Sequence, residues 1–305
     1  MKKITIGTSA IQASNIALGC MRMAKKSTNE AAEILNASVE AGIDFFDHAD
    51  IYGSGLSEEI FAAGLHKTSI RRESIFLQSK CGIRKGFFDF SKAHIIASVD
   101  GSLQRLKTDY LDTLLLHRPD TLFEPDEVAA AFDELESSGK VRHFGVSNQN
   151  PLQVELLKQS VRQPLIANQL QFSIMHTGMI DAGFNVNMTN PASVNHDGAI
   201  LEYSRLNTMT IQAWSPFQYG FFEGVFLDNE KFPKLNATIN HIAGQHGVTN
   251  TAIATAWILR HPAAMQVIIG TMSPERIRDI AAASTLSLSR EEWYEIYRAA
   301  GNVLP

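Results

Sequence analysis

Asp47, Tyr52, Lys80 and His117 are the residues of this chain whose types suit proton transfer. Asp47, Lys80 and His117 each stand at the end of a short apolar run, and Tyr52 follows five residues after Asp47. A carboxylate, a phenol, an ammonium and an imidazole gathered at one end of a parallel sheet make a proton-transfer site. A free tyrosine, with its pKa of about 10, is a poor acid near neutrality. An ammonium beside it stabilises the phenolate, so Lys80 is expected to lower the pKa of Tyr52. A buried Lys80 in turn needs a carboxylate, which Asp47 supplies. His117 can donate a hydrogen bond to a substrate oxygen and orient it. The four form a general-acid relay that needs no metal.

The elements that must position these groups alternate along the whole chain. Strand-like runs, short and continuously apolar as parallel strands covered on both faces should be, occupy 15–19, 43–46, 75–79, 111–116, 141–146, 165–170, 209–213 and 266–269. Amphipathic helical stretches lie at 28–41, 57–65, 91–106, 125–138, 151–158, 201–206, 235–245 and 274–283, and a last helix is expected at 290–298. Ser and Thr caps, acidic first turns and a Gly after the first helix mark their ends. Eight βα units in a chain of 305 residues point to an α/β fold, a (β/α)8 TIM barrel, read as a single domain over 1–305. The rival, a doubly wound open sheet, calls for a Gly-x-Gly-x-x-Gly turn that the chain lacks. Residues 2–6 and 9–13 around Gly7-Thr8 read as an N-terminal hairpin capping the barrel. The segment 173–197 lacks clear periodicity and reads as a long loop, of a kind usually functional or disordered; if it follows the sixth strand, it lies at the catalytic face.

Composition narrows the function. A net charge of −5 argues against nucleic acid or an anionic membrane as the main partner. Two cysteines exclude a disulfide scaffold, and the start of the chain is too short and polar for a signal peptide. No apolar run approaches the roughly 18 residues of a membrane span. The expectation is a cytoplasmic protein, with a monomer or a weak homo-oligomer both open.

The stretch from Gly42 through Asp47 to Tyr52-Gly53 resembles the signature of the aldo-keto reductase family. So do Ser79-Lys80-Cys81-Gly82, Leu116-His117-Arg118-Pro119-Asp120, and above all Gly139 to Asn148. The pattern is nearest to bacterial oxidoreductases of the YdhF type and runs from about residue 19 to 276. The resemblance implies NADPH bound in an extended pose across the mouth of the barrel. Ser147, Asn148 and Gln169 would then hydrogen-bond the nicotinamide carboxamide, and Trp214 would stack on the ring. Ser215, Pro216 and Phe217 would open a loop, running to Gly224, over the pyrophosphate.

Gly270, Thr271, Ser273 and Arg276 match the family's 2′-phosphate segment, a hydroxyl pair and an Arg at a helix start. Many members carry Lys where this chain has Gly270, which leaves Arg276 as the main phosphate partner. Asp279 falls where an acidic residue meets the adenine amino group, but Ile280 replaces the amide common beside it. Met21, Arg22, Ile51, Ile83 and Arg118 are expected to frame the substrate pocket. Arg22 suits a substrate carboxylate or a cofactor phosphate, and Cys20 could approach either ligand. Cys81 should point away from the barrel interior by strand alternation.

The resemblance implies NADPH-dependent reduction of a small aldehyde or ketone, with Tyr52 as general acid. Alternatives are an NADP(H)-sensing regulatory subunit of the same fold and, more remotely, a non-redox barrel lyase.

Overall fold

The computed structural model describes all 305 residues. Eight parallel strands close into a barrel in the order sixth, seventh, eighth, first, second, third, fourth, fifth. They are Ile16–Gly19, Phe45–Asp47, Phe76–Cys81, Leu111–Leu116, Val141–Ser147, Leu165–Gln171, Thr210–Trp214 and Gln266–Ile269. Each falls within two residues of a run expected from the sequence. Register sets Asp47 beside Gly19 on one side and Gln78 on the other, and pairs Lys80 with Leu115.

Helices surround the barrel, and their ends are written in the sequence. Ser27 and Glu30 form a reciprocal cap on the helix Thr28–Glu40, as do Ser289 and Glu292 on Arg290–Ala299. The apolar faces of the strands and the helices make one continuous core. A second, smaller cluster, with Ala17, Phe45, Leu115 and Ile268, fills the barrel interior at its N-terminal end. Ile6, Ile11 and Ala13, from the hairpin of Lys3–Thr5 with Gln12–Ser14, complete this plug. Gly7 makes the fit possible: a Cβ there would come within 2.3 Å of the Ile166 carbonyl oxygen.

Two elements depart from the sequence reading. Asn250–Leu259 is a helix, capped by Thr249, that periodicity could not reveal because it is buried nearly all round. Within it Trp257 stacks on Trp293, centroids 4.7 Å apart, and each indole N–H donates to the other residue's carbonyl. The segment 173–197 contains the helix Gly178–Phe184, and none of its residues lines the large cavity at the barrel mouth. It clasps the last helix instead. Phe184 packs on Tyr294 and Tyr297, and the Tyr297 hydroxyl donates to Asp181. The segment follows the sixth strand, as expected, and so starts at the catalytic face, but it is packed and partly helical.

Candidate active site

The C-terminal mouth of the barrel opens into a cavity of about 820 Å³. Every site residue expected from the sequence lines it, with the exception of Lys80. Lys80 lies beneath the floor, fully buried. Its ammonium donates to Asp47 Oδ2 at 2.8 Å, to the His48 carbonyl at 2.7 Å and to the Tyr52 hydroxyl at 3.1 Å. Tyr52 is carried there by a turn in which Gly53, Ser54 and Gly55 all have positive φ. Gly53 is required twice over, since its φ is 59° and a Cβ would strike Ala24 at 2.5 Å.

Asp47 is gripped from below by amides. Gln78 and Gln169 both donate to its Oδ1, at 2.6 and 2.9 Å. Both also donate to Gln212 Oε1, and Gln212 donates on to Gln266, which donates to the Ser14 carbonyl. The two ends of this layer, a carboxylate and a backbone carbonyl, are both acceptors. The reciprocal Gln78–Gln212 pair reconciles them, because each amide donates to the other. Buried amides so connected leave few alternatives for the position of the carboxylate. Gln78, Gln212 and Gln266 carried no linear signal, being three single residues on three strands.

The electrostatics correct one expectation. Burial pushes the Tyr52 phenol above its ordinary pKa, and Lys80 opposes this without reversing it. Desolvating a phenolate costs more here than the neighbouring ammonium returns. Tyr52 therefore stays protonated and is poised as a donor. Burial alone would lower the pKa of Lys80, but Asp47 and Tyr52 together hold it above its ordinary value. His117 is held well below the usual imidazole range by burial, then by Lys80 and Arg118, so it is neutral. Its buried Nδ1 has no acceptor. A single proton on Nε2 avoids an unpaired buried N–H and presents a donor to the cavity the ring lines. The Tyr52 and His117 rings meet edge to face, centroids 6.0 Å apart.

A polar cluster forms the opposite wall. Ser147 donates to the Gln169 carbonyl, Asn148 donates to Ser147 Oγ at 2.7 Å, and Trp214 Nε1 donates to Asn148 Oδ1 at 3.2 Å. Asn148 and Ser215 both take left-handed backbone conformations at strand ends, of the kind that collects at functional sites. The Trp214 ring lies near Phe222, 21° from parallel, and the Arg118 guanidinium sits 5.7 Å from its centroid. At the far end Ser273 caps the helix Pro274–Ala281, accepting from the Arg276 N–H, and Thr271 accepts from the Ser273 N–H. No ion pair holds Arg276. Arg22 Nη1 donates to the Gly270 carbonyl at 2.9 Å, so a cation from the opposite side of the barrel closure stands where the sequence lacks a lysine. Cys20 does not reach the cavity. It is fully buried beside Asp47, and burial pushes its thiol up. Cys81 is likewise buried, in the outer core. Thr249, Asn250 and Thr251 also line the cavity and were missed along with their helix.

The model of the Aldo/keto reductase family matches residues 3–300. The chain belongs to this family. Its relatives include the 6-dehydroglucose reductase of Agrobacterium fabrum, 33% identical over 98% of each chain. The oxidoreductase YdhF of Escherichia coli is 32% identical, again over 98% of each. Among solved structures, a thermostable aldo-keto reductase superposes with a TM-score of 0.80 at 25% identity, covering 98% of this chain and all of that one. An aldo-keto reductase from Klebsiella pneumoniae, solved with NADP and acetate, gives 0.78 at 25% identity over 98% and 95% of the chains. The protein is thus an oxidoreductase-family barrel, and no helix in it is long and apolar enough to cross a membrane.

Proposed function

We propose that this protein reduces an aldehyde or ketone to an alcohol with NADPH, using Tyr52 as the general acid. The observation that carries the reading is the Tyr52 hydroxyl 3.1 Å from the buried Lys80 ammonium on the floor of a cavity that His117 also lines. Asp47 and Lys80 form a buried, hydrogen-bonded pair whose role is to receive charge. His117, neutral and with Nε2 protonated, donates to the substrate oxygen and fixes the carbonyl. The nicotinamide, when bound, supplies the hydride to the carbonyl carbon. As negative charge builds on the oxygen, Tyr52 releases its phenolic proton to it. The tyrosinate left behind faces Lys80, whose charge is worth most in this dry setting. Tyr52 then regains a proton from solvent.

The residues present fit the cofactor. Ser147, Asn148 and Gln169 offer short hydroxyl and amide groups for a carboxamide, and Trp214 offers an aromatic face. Arg276 is a free cation at a helix start where a 2′-phosphate would lie, and Arg22 adds charge beside Gly270. Both favour NADPH over NADH. The related 6-dehydroglucose reductases act, by their names, on a sugar aldehyde, which keeps a polar carbonyl compound within reach of this site. We read the chain as one catalytic domain over 1–305. The complete tetrad favours an enzyme over a sensor subunit. The test is consumption of NADPH in the presence of a panel of reactive aldehydes and diketones. Oxidation that requires both the protein and the carbonyl supports the reading, and tight NADPH binding without turnover across the panel would favour the sensor.

A further inference from the structure

Arg118 is a cation without a partner in the wall of the catalytic cavity. It follows His117 directly and precedes Pro119, which restricts its backbone. The side chain is half-buried, yet no carboxylate, carbonyl or hydroxyl of the protein accepts any of its N–H donors. The contact that holds it is the face of Trp214. Burial pulls its pKa down, and no carboxylate stands close enough to oppose this. Of the acids of the cavity wall, Asp47 pairs with Lys80, Asp228 accepts from Asn250, and Asp279 lies on the helix Pro274–Ala281 and makes no ion pair with Arg118. Ile51, Ile83 and Trp214 line the same cavity, together with polar residues such as His117, Ser147 and Asn148.

A partly desolvated guanidinium is costly unless something accepts from it. A neutral apolar substrate would deepen that cost. An anionic oxygen group would remove it, through a charge-assisted and potentially bidentate contact that an arginine fork matches well. We propose that the substrates of this site are carbonyl compounds bearing a remote anionic oxygen group, a carboxylate, sulfonate or phosphate, which Arg118 receives while the carbonyl oxygen lies between Tyr52 and His117. The proposal rests on the carbonyl-reductase reading given above.

The test compares aldehydes that differ in charge and little in shape: 4-formylbenzoate, 4-formylbenzenesulfonate and methyl 4-formylbenzoate, with succinic semialdehyde against butanal as a short pair. The readout is the ratio of kcat/KM for the charged compound to that for its neutral counterpart. The wild type should favour the anion by about 10- to 100-fold, the range of one desolvated charge-assisted contact. In Arg118→Leu the ratio should fall to about one or below, and Arg118→Lys should keep part of it. Added salt should shrink the wild-type ratio. Preference for sulfonate over carboxylate, or the reverse, identifies the headgroup. A wild-type ratio near one, or a ratio unchanged in Arg118→Leu, overturns the proposal. If none of these aldehydes is reduced, the reductase reading has failed rather than the charge assignment. Calorimetric binding of 4-(hydroxymethyl)benzoate against 4-methylbenzyl alcohol then decides it. Tighter binding of the carboxylate that is lost in Arg118→Leu supports the anion site, and equal binding of the two overturns it.

Discussion

Removing Asp47 should hurt the fold more than removing both members of its ion pair would suggest. The Lys80 ammonium is fully buried and has three acceptors, of which Asp47 is the charged one. Asp47→Leu leaves that ammonium with one carbonyl and one hydroxyl. Breaking a buried pair from one side costs about 3–5 kcal/mol, since the remaining charge is uncompensated. Lys80→Met should cost less, about 2–3 kcal/mol, because Gln78 and Gln169 still donate to Asp47 Oδ1 and satisfy half of the carboxylate. The double variant carries no orphan charge, and its cost should fall short of the sum of the singles by about 3 kcal/mol.

The pH dependence gives a second handle on the same pair. In the wild type the pKa of Lys80 is raised on folding, so its contribution is fully present below the unfolded value and is lost as pH rises through the folded one. In Asp47→Leu desolvation acts on Lys80 without its main opponent, so its charged form is disfavoured in the folded state. Relative to the wild type, stability of that variant should then rise between about pH 8 and pH 10, a range in which the raised pKa values of the buried Cys20 and Cys81 thiols lower the stability of both proteins. Urea unfolding of the four proteins across this range provides the measurement. Additive losses, or the same pH slope in wild type and Asp47→Leu, would refute the reasoning.

Other expectations follow from the same geometry. Arg276→Ala should weaken NADPH binding by about 10- to 100-fold and NADH binding far less, as for loss of one charged phosphate contact; equal losses in fluorescence titrations would remove Arg276 from the 2′-phosphate. Burial, and then Lys80, hold buried His48 near a pKa of about 3, against an ordinary 6.5. Its folded pKa is depressed, so stability is lost as pH falls below the unfolded value. That loss is about 2 kcal/mol between pH 7 and pH 5. His48→Leu should lack that part of the acid sensitivity in urea unfolding, and an unchanged pH 7 to pH 5 difference would contradict it.

The barrel and its mouth were legible because parallel strands buried on both faces leave short continuous apolar runs, and catalytic groups sit at their ends. Asp47, Lys80 and His117 could be placed that way, and Tyr52 by its spacing from Asp47. Three things could not be read. The helix Asn250–Leu259 is buried on all sides and so has no amphipathic period. Gln78, Gln212 and Gln266 meet only once the barrel closes, so nothing in the linear order announces the amide layer beneath Asp47. The direction of the Tyr52 shift depends on how deeply the phenol is buried, which spacing does not tell. Arg22 is a further case: Gly270 reads as a missing cation until the two strand ends are brought together.

The most direct measurement of the central claim is the turnover of Tyr52→Phe with NADPH and a carbonyl that the wild type reduces, alongside its affinity for NADPH. The substitution removes one hydroxyl and leaves the ring against His117. Turnover should fall by the 10²- to 10⁴-fold typical of losing a positioned proton donor, while NADPH binds about as tightly as before. Wild-type turnover in Tyr52→Phe would show that the proton comes from elsewhere and would contradict the account.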